Sequence, residues 1–205
     1  MDLLDRPGHG AESLTTAMPE TPERVREYVR HEPAFHAHDP AAALAAATLI
    51  EWILARAPFL RVEHVGSTAV PGCGGKGRID LLVAYPEGRL DDAKRALAAL
   101  GFQPQQSREP FPEERPMRVG SMEWHGRLFP VHAHVVAASS PEAAEMLRFR
   151  DLLRADASLQ RAYEDEKRRI LEEGVLDGLD YARRKGDFIR RALGVSSRPD
   201  PGESA

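Results

Sequence analysis

The fold is decided by residues 63–80, which read EHVGSTAVPGCGGKGRID. Hydrophobic alternation over residues 60–65 predicts a strand that runs directly into Gly66 and Ser67. After a glycine-rich loop, the more apolar residues 78–85 predict a second strand. A strand that ends on glycine lets the backbone come close to a ligand. We therefore look first for function at the junction between the first strand and Gly66.

Signals on either side of this stretch predict helices and further strands. Asp39 followed by Pro40 is typical of a helix N-cap and first helical position, and predicts a helix over residues 41–57. The other predicted elements are a helix at about 90–100, a flexible proline-rich loop at 103–116, strands at about 117–124 and 127–136 with a tight turn at His125-Gly126, and helices from 140, near 158–173 and near 178–193. This order predicts an α/β (α+β) fold in which helices cover a mixed β-sheet and the C-terminal third is helical.

The composition is typical of one globular domain. The 205 residues are 42% hydrophobic and 29% charged, and we expect a folded domain at 23–194 between flexible tails at 1–22 and 195–205. A formal net charge of -4 argues against a surface that binds extended nucleic acid. The single cysteine, Cys73, excludes an internal disulfide. We see no bilayer-spanning apolar run and no secretory signal, so we expect a cytoplasmic protein that does not enter a membrane.

The residues from Gly66 to Asp80 predict a binding site for a phosphate group. A Gly-Ser pair at a strand end, followed by Thr68, presents hydroxyls and successive backbone N–H groups to phosphate oxygens. Lys76 adds a positive charge nearby. Asp80 lies between two apolar residues of the second strand, where a buried carboxylate needs a cation or hydrogen-bond donors. A phosphate site beside such an acid predicts a nucleotide with a bound divalent metal ion.

Two glycine motifs in the same loop are excluded by their context. Residues 72–77 satisfy the G-x-G-x-x-G pattern, but a strand follows them where a dinucleotide-binding fold needs a helix. A P-loop is excluded because Lys76 is followed by Gly77 instead of Ser or Thr. Cys73 has no evident histidine base beside it and is interpreted as a thiol without a catalytic role.

His132 and His134 extend the candidate site. They are two residues apart on a predicted strand, so they share one face and form a candidate set of metal ligands with Asp80. Imidazole ligands favour zinc, manganese or nickel over magnesium. Structural alternatives stay open: a tight turn at 66–68, a loop anchor at Asp80, and histidines that are exposed or hydrogen-bonded.

Two helix faces in the C-terminal third combine phenols with ammonium groups. Tyr163 with Lys167, and Tyr181 with Lys185, have the i, i+4 spacing that places each pair on one face. These faces either close over the phosphate site or belong to solvated helices that carry many ion pairs.

Beyond these separate signals, the sequence resembles the GrpB family, also called UPF0157. The similarity rests on HVGSTAVPG at 64–72, Lys76, IDLLV at 79–83, the helical stretch at 149–170 and YARRKGDFI at 181–189. This family is similar to the nucleotidyltransferase superfamily, in which a Gly-Ser follows one strand, two spaced carboxylates lie on the next, and a third carboxylate lies on a later strand. The resemblance therefore implies a nucleotidyltransferase-like fold.

The resemblance matches Gly66 and Ser67 to the phosphate-binding pair and Asp80 to the first metal carboxylate. Together with the signals above, the candidate phosphate- or nucleotide-binding residues are Gly66, Ser67, Thr68, Lys76 and Lys185, and the candidate metal ligands are Asp80, His132 and His134. As an enzyme, the chain would use Asp80 and His134 as catalytic residues, with magnesium or manganese, or zinc, as the divalent cofactor. Leu82 stands two residues after Asp80, where the pattern has its second carboxylate.

Two classes of function follow. One is a metal-dependent transfer of a nucleotidyl group to a small acceptor. The alternative is a non-catalytic module that binds a nucleotide or a coenzyme A precursor, because GrpB-like domains occur fused to dephospho-coenzyme A kinase. Leu82 favours the module, whereas Gly66, Ser67 and Asp80 favour the enzyme.

Overall fold

The structure, a computed structural model, describes residues 24–30, 34–107, 109–175 and 178–195. The predicted tails at 1–22 and 195–205 lie outside the described residues, except for Val195. The helices are α1 (Pro40–Arg56), α2 (Leu90–Ala99), α3 (Pro141–Ala155), α4 (Ala157–Glu172) and α5 (Gly178–Leu193), and the strands are β1 (Arg61–Val65), β2 (Ile79–Tyr85), β3 (Gln103–Pro104), β4 (Met117–Trp124) and β5 (Arg127–Ala137). The predicted mixed α/β fold with a helical C-terminal third is confirmed.

The five strands form one mixed sheet in the order β1-β2-β5-β4-β3. Strand β2 runs antiparallel to β1 and parallel to β5, while β4 pairs antiparallel with both β5 and β3. The register places Asp80 beside His132 and Leu82 beside His134. Because side chains alternate along a strand, these four residues lie on the same face of the sheet.

Helices cover both faces of this sheet. Helices α1 and α2 pack on the face that carries Ile79, Leu81 and Val83, and they build the main apolar core there. Helix α3 covers the opposite face at Leu82. Helices α4 and α5 then pack on α3 in a separate apolar cluster that includes Val70, Cys73, Phe149 and Tyr163. The last two helices therefore lie over the loop between β1 and β2.

The start of the proline-rich loop differs from its prediction. We expected no strand over 103–116, but Gln103 and Pro104 pair with Val119 and Arg118 of β4. This pairing is at the edge of the sheet, where proline is tolerated because its missing N–H is not needed by a further strand.

Asp39 caps α1 as predicted, because its side chain accepts a hydrogen bond from the backbone N–H of Ala41. In the part of the chain that the structure describes, no helix is both long and apolar enough to cross a membrane.

Candidate functional site: a cavity for an anion

The turn after β1 brings the backbone against Asp80. Gly66 has a φ of +72°, and Ser67–Ala69 form a short 3₁₀ turn. A Cβ at Gly66 would lie 2.7 Å from Oδ2 of Asp80. Only glycine therefore combines this left-handed backbone with this close approach.

Helix α3 holds the turn through two arginines. Arg154 donates to the carbonyl oxygen of Ala69 at 2.8 Å, and Arg150 donates to the carbonyl oxygen of His64 at 3.1 Å. Arg150 also pairs with Glu63 at 3.0 Å. These contacts stabilise both ends of the segment that contains Gly66 and Ser67, and sequence reasoning did not identify either arginine.

The glycine-rich loop is held by α4. The backbone N–H of Gly74 donates to Oε1 of Glu164 at 2.7 Å, and Nζ of Lys167 donates to the carbonyl oxygen of Gly74. A Cβ at Gly75 would lie 2.4 Å from Oγ of Ser67 and 3.2 Å from Nζ of Lys167. The absence of a side chain at Gly75 therefore brings the Ser67 hydroxyl and the Lys167 ammonium group to the same place.

The loop, the turn and α5 enclose a small cavity of about 30 Å³, which we call the anion cradle. Its lining residues are Gly66, Ser67, Lys76, Arg78, Asp80, Tyr163, Lys167, Tyr181 and Lys185. Among the described residues, four basic side chains and one carboxylate therefore line this cavity. A surplus of positive charge in a confined space favours a small anion with more than one negative charge.

Asp80 is ionised and paired with a neighbouring arginine. Its Oδ1 lies 3.3 Å from Nε of Arg78 and 3.8 Å from Nε2 of His134. Burial opposes ionisation, but the charge of Arg78 and the nearby ring of His134 lower the pKa of Asp80 far below its usual range. Arg78 in turn has a raised pKa, because the attraction of Asp80 outweighs the effect of its burial.

The lysines of the anion cradle are not neutralised by this carboxylate. Burial, together with the charges of Arg78 and Lys185, lowers the pKa of Lys76 to about 7. Burial lowers the pKa of Lys167 to about 8 and also lowers the pKa of Lys185. Among the described residues, neither Lys76 nor Lys185 forms an ion pair. An anion that entered the cradle would restore the charge on these side chains.

Tyr181 offers an unused hydrogen-bond donor to the same cavity. The residue is 4% exposed, and its buried hydroxyl has no hydrogen-bond partner within the described ranges. Nζ of Lys76 lies 3.2 Å from the centre of the Tyr181 ring, a cation–π contact. Because burial raises the pKa of Tyr181 to about 12, the hydroxyl keeps its proton and remains available to a ligand oxygen.

A larger cavity opens on the other side of Lys76. This outer cavity has a volume of about 430 Å³ and is lined by the segment before α1, the glycine-rich loop and the start of β5. Lys76 lines both cavities, so the two cavities are neighbours at this residue. His38 lines the outer cavity, and its buried Nδ1 has no hydrogen-bond partner in the part of the chain that the structure describes.

Five of the predicted site residues come together in the anion cradle: Gly66, Ser67, Lys76, Asp80 and Lys185. Thr68 does not line the anion cradle but lines the outer cavity, so its role in phosphate or nucleotide binding stays a prediction. Its hydroxyl donates to the carbonyl oxygen of Arg78 at 3.0 Å and lies 3.0 Å from Nε2 of His64. Thr68 therefore supports the loop from within.

The predicted histidines share the face of Asp80 but have different neighbours. His134 lies next to Asp80, as described above, and its ring meets the ring of Phe111 edge-on. Nε2 of His132 lies 3.0 Å from the hydroxyl of Tyr28. Burial lowers the pKa of His132 well below its usual value, so its ring is neutral.

These side chains do not fit a divalent metal ion. Within the described ranges, no group of three or more His, Cys, Asp and Glu side chains is arranged to hold a metal. Leu82, which is fully buried, occupies the place of a second carboxylate, and Asp80 is paired with Arg78. The metal ligands named from the sequence, Asp80, His132 and His134, stay a prediction that this geometry does not support.

Four residues that line the anion cradle were not among the predicted site residues: Arg78, Tyr163, Lys167 and Tyr181. Lys167 is 2% exposed and Tyr163 is 3% exposed, so neither lies on a solvated face. The i, i+4 spacing had indicated that they share a helix face, but not that the face packs on the loop. Arg78 stands two residues before Asp80, and this spacing along a strand was the available signal for their pairing.

Comparisons with known proteins agree with this fold. A sequence model of the GrpB protein family matches residues 27–194. A UPF0157 protein of Streptomyces coelicolor is 37% identical over 138 residues, which is 67% of this chain and 67% of that protein. This chain thus spans about two thirds of that relative's length.

Two solved structures are also similar. The crystal structure of conserved protein GrpB from Enterococcus faecalis matches 78% of this chain and 98% of its own, with a TM-score of 0.59 and 20% identity. The Cid1 poly(U) polymerase matches 60% of this chain and 38% of its own, with a TM-score of 0.40 and 15% identity. With the family model matched over almost the whole described region, the chain belongs to the GrpB family.

Proposed function

We propose that the chain binds a nucleoside phosphate, with a phosphoryl group in the anion cradle and the nucleoside part in the outer cavity. The observation that carries this proposal is the convergence of four basic side chains on a cavity whose single lining carboxylate is already paired. A phosphoryl group supplies the charge that these side chains lack, and its oxygens accept several hydrogen bonds at once.

The sizes of the two cavities support a ligand with two chemically different parts. The anion cradle, at about 30 Å³, admits a small tetrahedral group, whereas the outer cavity, at about 430 Å³, falls in the range of organic ligands. Lys76 stands between them and would contact the ligand where the phosphate joins the nucleoside. Nδ1 of His38 offers an unsatisfied hydrogen-bonding atom to the nucleoside part.

Donors within the cradle would contact the phosphoryl oxygens directly. The Ser67 hydroxyl and Nζ of Lys167 both approach Gly75, and the Tyr181 hydroxyl has no other partner. Lys185 adds a further cation from α5. Burial makes each contact stronger than it would be in water, because the local dielectric constant is low.

Between the two functional classes, the non-catalytic binding module is favoured by Leu82 and by the pairing of Asp80 with Arg78. Both features remove carboxylate oxygens that the nucleotidyltransferase pattern assigns to metal ions. Nucleotidyl transfer is the second candidate, and it is favoured by Gly66 and Ser67 at the strand end. In that case His134, on the face of Asp80, is the candidate base for the acceptor.

Calorimetry and thermal denaturation test the binding proposal. Nucleoside mono-, di- and triphosphates and dephospho-coenzyme A are titrated into the wild type, Ser67→Ala and Lys185→Met. A ligand at one hundred times its dissociation constant should raise the free energy of unfolding by about 2.7 kcal/mol. We expect both variants to lose most of the affinity.

Lys94→Met is the matched control, because it removes a lysine from α2, which pairs with Asp91 and Glu113 on the other side of the sheet. It should bind like the wild type. Absence of binding by every compound, with all proteins folded, would overturn the proposal. Mass spectrometry of acceptor mixtures incubated with the bound nucleotide then separates the two classes, since only a transferase yields a modified acceptor.

A further inference from the structure

We infer that the anion cradle binds its phosphoryl group without a divalent cation. Lys76, Lys167 and Lys185 neutralise the negative charge of this group. The inference rests on the proposed function and specifies the form of its ligand: a phosphate ester or polyphosphate as the uncomplexed anion. It departs from the sequence-based expectation of a nucleotide held through a metal ion.

The first support is the state of the carboxylate. In the described part of the chain, Asp80 is the single acid that lines the cradle, and its Oδ1 is 3.3 Å from Nε of Arg78. A metal ion at Asp80 would have to displace this guanidinium group or lie beside it. The neighbouring position on the same face, Leu82, is fully buried and offers no oxygen.

The second support is the placement of the lysines. Nζ of Lys167 reaches the carbonyl oxygen of Gly74 and lies 4.3 Å from the centre of the Tyr163 ring, so it is fixed at the wall of the cradle. Lys76 and Lys185 line the same space and form no ion pair among the described residues. A divalent cation placed among these ammonium groups would be repelled, whereas a dianion would be attracted to each of them.

The third support is independent of charge. Tyr181 lines the cradle, and its buried hydroxyl has no hydrogen-bond partner among the described residues. A phenol with its proton is a hydrogen-bond donor suited to a phosphoryl oxygen. Together with the Ser67 hydroxyl, it provides neutral donors to oxygens that a metal ion would otherwise bind.

The direct test is calorimetric titration of the wild type with ATP and with inorganic triphosphate at constant ionic strength. One series contains EDTA, and the other contains magnesium in excess over the phosphate compound. We expect at least tenfold tighter binding in EDTA. Binding only in magnesium would overturn the inference but leave the proposed function standing. Absence of binding by ATP and triphosphate in both series would also overturn the inference, and the panel of nucleoside phosphates described above then decides the proposed function separately.

Substitution of Asp80 provides a second test, because binding of the free anion and binding through a metal ion predict opposite changes in affinity. If the cradle binds the free anion, Asp80→Asn removes a negative charge and should raise the affinity for inorganic triphosphate in EDTA by about threefold to tenfold. If Asp80 were a metal ligand, the same change would abolish binding in magnesium. Thermal denaturation checks that the variant is folded, and the wild-type comparison above decides the inference if it is not.

Lys185→Met completes the design. It should weaken triphosphate binding in EDTA by about tenfold or more, because it removes a cation from the wall of the cradle. Lys94→Met again serves as the control of equal size and charge change. Equal affinities for both variants and the wild type in EDTA would contradict the role given to the cradle lysines.

Discussion

The face of the sheet under α1 and the loop edge that forms the anion cradle bury very different side chains. Under α1, the buried residues are apolar and close-packed, among them Leu49, Ile53 and Leu81, each with no exposed surface. At the loop edge, Lys167 is 2% exposed and the Tyr181 hydroxyl is buried without a partner. Burial in the first region lowers the free energy of the folded state. Burial of charged and polar groups in the second region raises it, because these groups lose their contacts with water.

This difference indicates what each region is for. An apolar core gains stability from burial and needs no ligand. A buried group of like charges costs stability until an anion joins it, so its presence in a folded protein indicates a site shaped for binding. Substitutions confined to one region should therefore change either the free energy of unfolding or the affinity for the anion.

The largest loss of stability is expected from the apolar core. Leu81→Ala leaves a cavity in the middle of β2 and should lower the free energy of unfolding by about 2–5 kcal/mol, measured by urea denaturation. Anion affinity of the folded fraction should not change. Leu44→Ala, at a side chain on α1 that is 60% exposed, is the control and should cost less than about 0.5 kcal/mol. A large effect of Leu81→Ala on affinity would show that the two regions are coupled.

Gly66→Ala should affect both quantities. The backbone of Gly66, with φ +72° and ψ −172°, lies in a region that is essentially restricted to glycine and costs another residue about 1–3 kcal/mol. The new Cβ would also press on Asp80. We expect a fall in the free energy of unfolding together with loss of triphosphate binding by calorimetry. Gly88→Ala is the matched control: Gly88 has a φ of +74° but open space around it, so only the backbone cost applies. Equal changes in stability and in triphosphate binding for both variants would contradict the inference that the contact of Gly66 with Asp80 matters for the site.

Lys76→Met should separate stability from binding most clearly. Because the pKa of Lys76 is lowered to about 7, the unfolded state binds more protons than the folded state from about pH 7 up to the ordinary lysine pKa. The wild type is therefore penalised most at and below pH 7, and the penalty fades as the pH rises. The variant should gain about 1–2 kcal/mol at pH 6, a value reduced for partial exposure, and should gain nothing near pH 10.

Urea denaturation at several pH values checks this prediction, and calorimetry should find that the same variant has lost most of its affinity for the anion. A variant that is less stable than the wild type at pH 6 would contradict the expectation that buried Lys76 lowers the free energy of unfolding.

The smallest effect concerns the pH dependence of binding. Sulfate keeps its two negative charges across the neutral range, so a change in its affinity reports on the protein. With a pKa of about 7 for free Lys76, sulfate affinity should fall about fivefold from pH 7 to pH 8. Lys76→Met should show a flatter profile. A rise in wild-type affinity over this interval would be opposite in sign and would exclude Lys76 as the group that titrates.

Much of the fold was accessible from local signals. The N-cap at Asp39, the alternation of β1 and the apolar run of β2 predicted those elements close to their true bounds. The edge strand at Gln103 was missed because its pairing with β4 depends on a residue distant in the chain. Pro104 indicated that no strand would form there. A strand is possible at this position only because it lies at the edge of the sheet.

The candidate site was accessible only in part. Gly66, Ser67 and Asp80 were found because each lies at a strand end or on a strand near the glycine-rich loop. Lys167 and Tyr181 lie about one hundred residues away along the chain, and their spacing is equally typical of an exposed helix face. Those faces point inward because α3, α4 and α5 pack on the loop. A short motif does not specify this packing, so the motif could not predict that the faces are buried.

By itself, the sequence determined the order of the elements, the glycine turn at the end of β1 and the polar residues around it, because these depend on backbone preferences and on the period of hydrophobic residues. Only the tertiary structure decided that Asp80 pairs with Arg78 and that Lys167, Lys185 and Tyr181 face the same small cavity. The physical reason is that a pKa, a buried charge and an unpaired hydroxyl are properties of an environment, and residues from distant parts of the chain supply that environment.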